Sequence, residues 1–312
     1  MTKKIGICFS KEFVGVVPLD HIVGKRPVYF RFLELLKKES FEPYVLTRKT
    51  YLGKGIFDGV WHYTANKFVQ ERQKIRIDLV YDRTGGVIFP PEHDLLKVVN
   101  IRQFKILCWD KWKTFAQIGQ YMPKTFWVGK FSDHVQILDK IKDDWVVLKP
   151  YNGLKGLDIY IGPKSEAVKF TANPKKLYIA QEFIDTSGGV PGITGSLHDI
   201  RIVIISSQPV WSHVRVPPEG SFKANAAGGG ILREIDYDSD VPEKIKEVVD
   251  LISQKFYREY DNTVYSLDFG IGKDGRPYIF EINDQIGFPR WEMKNRDNFL
   301  LALIENFKEK LG

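Results

Sequence analysis

The chain alternates between short apolar runs and amphipathic helical segments, and this alternation constrains its fold more than any other feature. Residues 4–10, KIGICFS, are typical of a buried strand, and residues 28–38 place Phe32, Leu35 and Leu36 on one helical face. Further strand-like runs follow at residues 41–46, 59–62 and 77–81. Strands that alternate with helices in this way predict a small, mostly parallel α/β domain at the start of the chain.

The pattern changes after Trp109, where strands come to outnumber helices. Asp110 is a suitable cap for a helix that begins at Lys111. The glycine-rich stretch Thr186–Ser196 is predicted to be the most flexible part of the chain. Strands are predicted at 126–128, 146–149 and 177–184, a hairpin at 201–206 and 209–216 around Ser207-Gln208, a helix at 243–258, strands at 265–270 and 278–283, and a last helix at 298–311.

Composition and charge exclude several classes of protein. The 312 residues contain no run of about 18 apolar residues, and the start, MTKKIGICFS, lacks the long apolar segment of a signal peptide. Cys8 and Cys108 cannot form a disulfide scaffold in a chain of this size. We therefore expect a cytoplasmic protein that does not bind a membrane.

The net charge of +7 comes mainly from the first third of the chain. Residues 1–100 hold 17 Lys and Arg against 11 Asp and Glu, whereas the rest holds 29 against 28. No block of five or six like charges occurs, so a nucleic-acid partner is not expected. A basic face that attracts an anionic substrate and a merely solubilising surface both remain open.

The last predicted hairpin carries three oxygen ligands. Glu281 and Asn283 lie two residues apart and so share one face of their strand, and the tight turn at 273–276 brings Asp268 alongside. Three such ligands suit Mg²⁺, which prefers hard oxygen donors. The alternative is that Glu281 and Asn283 are exposed residues that alternate with a core formed by Phe280 and Ile282.

Two other segments carry groups suited to phosphate. Lys149 ends an apolar strand and is followed by a loop with Gly153 and Gly156, which can place an ammonium and free backbone N–H groups around phosphates, although the glycines alone are typical of a turn. Arg201 and Arg215 can bind phosphate or carboxylate oxygens, or remain solvated edge charges.

Taken in order, these motifs resemble the ATP-grasp superfamily, and in particular glutathione synthetases and the ribosomal-protein glutamate ligases. The resemblance covers roughly residues 100–290. It is carried by Asp110-Lys111, Val146–Pro150 with its glycine loop, Gln181-Glu182-Phe183-Ile184, Asp199-Ile200-Arg201, Lys223-Ala224-Asn225 with its glycines, Leu267-Asp268 and Phe280-Glu281-Ile282-Asn283.

The resemblance implies an ATP-grasp fold of the α/β class, preceded by a small α/β domain. The implied division is a first domain at 1–105, a central ATP-grasp subdomain at 106–186 and a C-terminal subdomain at 187–312. In this fold ATP is bound together with Mg²⁺, or with Mn²⁺ in its place.

The resemblance also assigns roles to individual residues. Lys111 and Lys149 hold the ATP phosphates under the mobile loop 152–156, and Lys223 and Asn225 reach them as well. Glu182 and Phe183 line the adenine pocket with Gln181 or Tyr178 nearby, Asp185 or Asp199 binds the ribose, Asp268, Glu281 and Asn283 hold the metal, and Arg201 and Arg215 orient the transferred phosphoryl group and the acceptor carboxylate.

The implied activity is that of an ATP-dependent carboxylate–amine ligase. A carboxylate takes the γ-phosphoryl group of ATP, and an amine then displaces phosphate from the acyl phosphate to give an amide. The substrates are small molecules or peptides, and a homo-oligomer is compatible with the sequence. The alternatives are an ATP-grasp kinase that phosphorylates a hydroxyl and a non-catalytic nucleotide-binding partner protein.

The sequence departs from the family pattern at three places. Relatives usually continue after Glu-x-Asn with a small residue, Ser or Thr, and Pro, whereas this chain has Asp284–Gly287 at a loop near the acceptor. Lys223 stands where Arg is common, which keeps the charge and loses the guanidinium fork. Thr186–Ser196 is longer than in the ribosomal-protein ligases and is predicted to be a lid or a peptide-contacting loop.

Overall fold

A computed structural model of the chain describes residues 2–10, 17–85, 89, 96–130, 134–153, 157–222 and 230–312. The first part forms the predicted α/β unit. Its elements are β1 (Lys3–Phe9), α1 (Arg26–Lys38), β2 (Phe41–Thr47), β3 (Tyr51–Gly53), β4 (Ile56–Phe57), β5 (Trp61–Thr64), β6 (Lys67–Gln70), β7 (Ile75–Arg76), β8 (Leu79–Asp82) and β9 (Lys97–Val99).

Six of these strands form one sheet in the order β6-β5-β2-β1-β8-β9. The four strands β2, β1, β8 and β9 run parallel, as predicted, whereas β5 and β6 add an antiparallel hairpin at one edge. The short strands β3, β4 and β7 form a separate small sheet. The parallel arrangement brings the carboxyl ends of β1 and β8 to the same edge, where Asp82 and Arg83 lie.

The middle part is an antiparallel sheet with short helices. Its elements are α2 (Arg102–Trp109), α3 (Lys111–Ile118), β10 (Thr125–Gly129), α4 (His134–Leu138), β11 (Trp145–Pro150), β12 (Tyr160–Pro163), α5 (Lys164–Ala167) and β13 (Tyr178–Glu182), with strand order β10-β13-β11-β12. The predicted cap of α3 is confirmed, because the Asp110 carboxylate accepts from the backbone N–H groups of Trp112 and Lys113 at 3.1 and 3.0 Å.

The last part is a five-stranded antiparallel sheet covered by two long helices. Its elements are β14 (Asp199–Ile205), β15 (Gln208–Val216), β16 (Ile231–Ile235), α6 (Glu243–Tyr260), β17 (Val264–Ile271), β18 (Pro277–Asn283) and α7 (Arg296–Leu311), with strand order β16-β15-β14-β17-β18. The turn predicted at Ser207-Gln208 lies one residue earlier. Ser206 and Ser207 have φ of 46° and 68°, the left-handed conformation that a tight hairpin needs at both central residues.

The hydrophobic cores connect the parts of the chain. Phe299 and Phe307 of α7 are fully buried and share one core with Phe32 of α1 and Tyr81 of β8, so the C-terminal helix packs against the N-terminal α/β unit. A second core joins α6 to the five-stranded sheet and includes α2 and the glycine-rich stretch, where Val190 and Ile193 are buried. The first core contains residues of both the predicted first domain and the predicted C-terminal subdomain. The predicted domain bounds therefore stay a prediction.

In the part of the chain that the structure describes, no helix is both long and apolar enough to cross a bilayer.

Candidate active site

A cavity of about 480 Å³ lies between the four-stranded and five-stranded sheets. Residues from both sheets and from α3 line it, so chain segments far apart in sequence converge there. Of the residues singled out from the sequence, the cavity wall contains Lys111, Lys149, Gly153, Gln181, Glu182, Phe183, Asp199, Arg201, Arg215, Asp268, Glu281 and Asn283.

Two lysines from different elements meet at one end of the cavity. Lys111 begins α3, where the Asp110 cap fixes the helix start, and its ammonium donates to the Gly153 carbonyl at 2.8 Å. The same ammonium pairs with the Glu281 carboxylate at 3.0 Å. Lys149, in β11, lies close enough that its charge and that of Lys111 repel each other. The pair gives this end of the cavity a positive potential suited to phosphate.

Lys149 is buried with a single polar side-chain partner in the described residues. Its ammonium donates to the Gln181 Oε1 at 2.9 Å, and the Gln181 amide in turn donates to the Thr125 hydroxyl at 2.8 Å. Burial and the neighbouring Lys111 charge lower the pKa of Lys149 to about 8, although Glu281 opposes the shift. An incoming anion would therefore gain more from Lys149 than from an exposed lysine.

Part of the cavity wall is aromatic and contains Phe183 and Phe222. The Phe183 ring contacts the rings of Trp145 and Phe222, with centroid distances of 5.3 and 5.4 Å. Strand alternation in β13 turns Gln181 toward the cavity, whereas Tyr178 is fully buried in the core on the other face of the sheet. Of the two residues that the sequence left open beside the adenine pocket, the structure brings Gln181 to the cavity.

The β17–β18 hairpin brings the predicted metal ligands together. Asp268 and Glu281 are directly opposite each other in the register of the two strands. The Asn283 amide lies 3.3 Å from the Asp268 Oδ2. The turn that joins the strands closes with a hydrogen bond from the Gly275 N–H to the Gly272 carbonyl at 2.8 Å, in the predicted region.

Two arginines flank Asp268 from the neighbouring strands. Arg201 forms a two-pronged pair with the Asp268 carboxylate, both nitrogen–oxygen distances being 2.6 Å. Arg215 reaches Asp268 at 2.7 Å and Asp199 at 2.5 Å, so it bridges the two carboxylates. Since β14 lies between β15 and β17, these four side chains stand side by side on one face of the sheet.

The arginines shift the two carboxylates in opposite directions. Burial alone would raise the pKa of Asp268, but the Arg201 and Arg215 guanidinium groups hold it well below its usual value. Burial and the charge of Asp268 raise the pKa of Asp199 to about 6, with Arg215 opposing them. Asp268 is thus ionised at neutral pH, the form that a metal or a cationic group requires.

The side chains of Asp268, Glu281 and Asn283 provide oxygen donors that fit Mg²⁺. Asp268 and Glu281 offer carboxylate oxygens, and Asn283 offers an amide oxygen once its side chain turns. Among the described residues no group of three His, Cys, Asp or Glu side chains is placed to hold a metal, so a magnesium ion here needs the Asn283 amide, water or phosphate oxygens as well. The assignment of these three residues stays a prediction.

Some predicted site residues lie elsewhere. Asp185 does not line the cavity and pairs instead with Lys273 on the surface at 2.7 Å, whereas Asp199, the other ribose candidate, does line it. Gly156, Lys223 and Asn225 fall outside the described residues.

Sequence reasoning missed an apolar part of the wall. Ile159 directly precedes β12, Ile161 lies within it, and both line the cavity. No strand was predicted here from the sequence. The alternation Ile159-Tyr160-Ile161 was the available signal, since Tyr160 packs on the other face. Phe280, a core residue in the alternative to the metal site, lines the cavity.

Comparison with known proteins gives a family match and distant relatives. The sequence profile described as "RimK-like ATP-grasp domain" matches residues 108–306. Human N-acetylaspartylglutamate synthase A is 22% identical over 200 residues, which is 62% of this chain and 47% of that protein. The chain spans about half the length of the curated relatives it matches.

The fold is similar to those of solved ligases over its whole length. D-alanyl-alanine synthetase A from Vibrio cholerae has a TM-score of 0.67 at 12% identity, covering 100% of this chain and 99% of that one. The ATP-grasp ligase PsnB, solved with a phosphomimetic variant of its minimal precursor, Mg and ADP, has a TM-score of 0.59 at 15% identity, covering 96% and 98%. These matches confirm the predicted ATP-grasp resemblance and fold.

Proposed function

Because the chain belongs to the RimK-like ATP-grasp domain family, we propose that it is an ATP-dependent ligase that joins a carboxylate to an amine. Residues 108–306, which carry the family match, contain the whole cavity wall. ADP and phosphate are the other products of this reaction. The carboxylate and the amine are carried by small molecules or peptides.

One observation carries the proposal, namely that cations and oxygen ligands from separate elements converge in a single cavity. Lys111 of α3 and Lys149 of β11 approach Glu281, and Arg201 and Arg215 surround Asp268 on the five-stranded sheet. Phosphoryl transfer depends mainly on positioning and charge neutralisation, and this arrangement supplies both.

Different residues bind ATP and activate the carboxylate. Lys111 and Lys149 bind phosphate oxygens, and the wall around Phe183 accommodates the base. Asp268, Glu281 and Asn283 would hold Mg²⁺, which supplies charge neutralisation for the transferred phosphoryl group. Arg201 and Arg215 lie where they can bind the acceptor carboxylate and the developing acyl phosphate.

The described part of the site offers no thiol nucleophile. Burial raises the pKa of the Cys8 and Cys108 thiols well above their usual value, and neither residue lines the cavity. An acyl phosphate intermediate requires no such nucleophile, since the substrate carboxylate itself attacks the phosphorus atom.

The test is ADP release from Mg²⁺-ATP with pools of amino acids and short acidic or basic peptides, followed by mass spectrometry of each pool. ADP together with a product lighter by one water than its two reactants supports the ligase. ADP with a stable product that carries an added phosphate supports the kinase alternative and contradicts the ligase.

Two variants of one helix make the test specific. Lys111→Met should reduce ATP-analogue binding at least about tenfold, because a charge-assisted phosphate contact is lost. Lys113→Met, on the exposed side of α3, is the matched control and should bind as the unaltered chain does. Equal loss in both variants would contradict the role given to Lys111.

A cytoplasmic location, a homo-oligomeric state, Mn²⁺ as a substitute ion and the lack of a nucleic-acid partner remain predictions made from the sequence.

A further inference from the structure

The segment that follows Asn283 meets the first domain at a cluster of basic side chains. The Lys25 ammonium lies against Gly287, so closely that a Cβ added there would stand 2.9 Å from its nitrogen. The Arg83 guanidinium lies over the Phe288 ring, 5.6 Å from the centroid. Arg290 follows two residues later. We call Lys25, Arg83 and Arg290 the basic junction.

The framework of the basic junction is rigid. Phe288 is buried and stacks on Tyr29 of α1 with a centroid distance of 4.3 Å and an angle of 6° between the rings. Arg83 also lies over the Tyr81 ring at 5.3 Å and donates to the Tyr81 hydroxyl at 3.2 Å. The aromatic side chains therefore fix Arg83 in place before any ligand arrives.

The basic junction has little countercharge among the residues that the structure describes. Lys25 makes no ion pair there, and the buried Nε of Arg83 has no hydrogen-bond acceptor. Arg290 has a single carboxylate neighbour, Glu292, at 4.0 Å, and both side chains are exposed. A buried N–H donor without an acceptor is costly, and an anion would satisfy it.

Nearby carboxylates do not neutralise the basic junction. Asp82 and Asp284 are both held by Lys105, at 2.9 and 3.0 Å. Asp20 pairs with Arg26 at 2.9 Å. Helix α1 begins at Arg26 with no acidic residue in its first turn and no side-chain cap, so its amino-terminal end adds partial positive charge beside Lys25.

The basic junction adjoins the ligase cavity. Burial and the charges of Arg83, Arg290 and Arg201 lower the pKa of Lys25 to about 8. Burial and the positive charges of Arg201, Arg215 and Lys25 likewise keep the pKa of His213 well below its usual value. Asn283 belongs to the cavity wall, and Gly287, against which the Lys25 ammonium lies, follows it by four residues, a stretch that spans at most about 14 Å.

We propose that the basic junction binds a second anionic group, a carboxylate or a phosphate, of the substrate whose first carboxylate is activated in the cavity. The proposal rests on the ligase function proposed above. Charge-assisted hydrogen bonds from Arg83 and Lys25 would hold this group, and its negative charge would offset the repulsion among the three cations. The segment 284–290, which begins with the departure from the family pattern at Asp284–Gly287, thereby selects the substrate.

Direct binding of small probes tests the proposal. The chain is saturated with Mg²⁺ and a non-hydrolysable ATP analogue, and succinate, 3-phosphonopropionate and butyrate are titrated calorimetrically. At least one of the two dianions should bind about tenfold or more tightly than butyrate, which carries a single carboxylate. A preference for succinate identifies a carboxylate, and a preference for 3-phosphonopropionate identifies a phosphate.

Variants assign the preference to the basic junction. Lys25→Gln, Arg83→Gln and Arg290→Gln should each reduce it severalfold, and Arg290 is exposed, so its replacement is compatible with folding even if that of Arg83 is not. Arg72→Gln, an exposed arginine of the same domain, is the matched control and should keep the preference.

Two outcomes would overturn the proposal. One is that neither dianion binds better than butyrate, and the other is that the preference survives unchanged in Lys25→Gln and Arg290→Gln. Titration of the ATP analogue alone is measured first and reports on the ligase proposal separately, so a failure of ATP binding is distinguished from a failure of the basic junction.

Discussion

At the residue scale, Lys149 is the side chain whose charge state most directly affects the cavity. Burial and Lys111 lower its pKa to about 8, so part of the population is neutral at mildly alkaline pH. Bound phosphate favours the ammonium and raises this pKa again. Binding of ATP above pH 8 must therefore take up a proton.

The first prediction follows from this linkage. The affinity for an ATP analogue should be constant below pH 8 and should fall as the pH rises further, by up to about tenfold per pH unit. Calorimetry at pH 8.5 in two buffers of different ionisation enthalpy should show proton uptake. Lys149→Arg, which keeps its charge throughout, should lose both effects, and an equal uptake in this variant would contradict the assignment to Lys149.

Asp268 and Glu281 are both predicted to be metal ligands, but they differ in how deeply their side chains are buried. Asp268 is buried between two guanidinium groups, whereas about a third of the Glu281 side chain is exposed. Removing one partner of a buried ion pair leaves an uncompensated charge, and this costs far more than the loss of an exposed one.

The second prediction separates the two roles. Asp268→Asn should reduce the free energy of unfolding by about 3–5 kcal/mol, and Glu281→Gln should reduce it by much less, whereas Mg²⁺-dependent ADP release should be lost in both. Denaturant unfolding without nucleotide provides the stability measurement. Equal stabilities of the two variants would show that the Asp268–arginine pairs contribute little to folding.

The sequence identified the charged residues of the cavity because their chemistry is local to short motifs. Lys111 begins a predicted helix, Lys149 ends a predicted strand, and Asp268 and Glu281 lie within two predicted strands. The structure brings all four to one cavity. Lys25 was not identified, since its importance depends on contacts with Gly287 that are remote in sequence. No short spacing encodes a pair of this kind.

At the scale of elements, the β17–β18 hairpin contains an irregularity at the cavity. The register shifts between Asp268 and Phe269, whose partners are Glu281 and Ile279, so Phe280 is an extra residue in its strand. Such bulges redirect side chains and are common beside functional sites. Strict alternation would bury Phe280, and the bulge explains why it lines the cavity instead.

Gly270 gives the bulge the space that it needs. A Cβ at this position would stand 2.3 Å from the Phe280 ring and 2.7 Å from the Thr186 methyl group, both of which belong to residues of the cavity wall. A larger side chain must therefore push the Phe280 ring out of its position.

The third prediction concerns this contact. Gly270→Ala should lower the free energy of unfolding by about 1–3 kcal/mol and weaken binding of an ATP analogue, because the displaced ring enters the cavity. Gly188→Ala is the matched control, since nothing lies within 4 Å of a Cβ there. Thermal unfolding and nucleotide titration measure the two effects, and unchanged nucleotide affinity in Gly270→Ala would exclude a shift of Phe280.

Elements were predicted well where they are long and poorly where they are short. The helices α1, α6 and α7 and the strands of both large hairpins were identified to within a few residues. The strands β12 and β16 and the helix α2 were missed, because four to eight residues give little periodicity to distinguish them from loops. Tertiary pairing, which single-sequence patterns do not contain, defines such elements.

At the scale of the whole molecule, α2 connects the N-terminal α/β unit to the strands that carry the candidate metal ligands. Lys105 is nearly inaccessible, and its ammonium contacts the carboxylates of Asp82, at the end of β8, and Asp284, directly after β18. Burial opposes the charge of Lys105, but the two carboxylates raise its pKa. The Gln285 amide adds a bond to the Asp82 carbonyl at 3.2 Å.

The fourth prediction is that the ion pairs of Lys105 with Asp82 and Asp284 contribute to the stability of the whole fold. Lys105→Met leaves two carboxylates without a counterion, one of them fully buried, and should lower the free energy of unfolding by about 3–5 kcal/mol at pH 7. A buried carboxylate without a counterion is costly only in its charged form. The deficit should therefore be smaller at acidic pH than at neutral pH.

Lys310→Met provides the comparison that makes the result interpretable. The Lys310 ammonium is equally buried, but its partner Asp261 is about two-thirds exposed and stays hydrated when the lysine is removed, so the loss should be below about 1 kcal/mol. Denaturant unfolding of both variants at pH 5 and pH 8 gives the four values needed. A loss of stability in Lys105→Met that is not smaller at pH 5 than at pH 8 would come from lost packing and not from unpaired carboxylates. That result would contradict the role given to the ion pairs between the N-terminal α/β unit and the segment after β18.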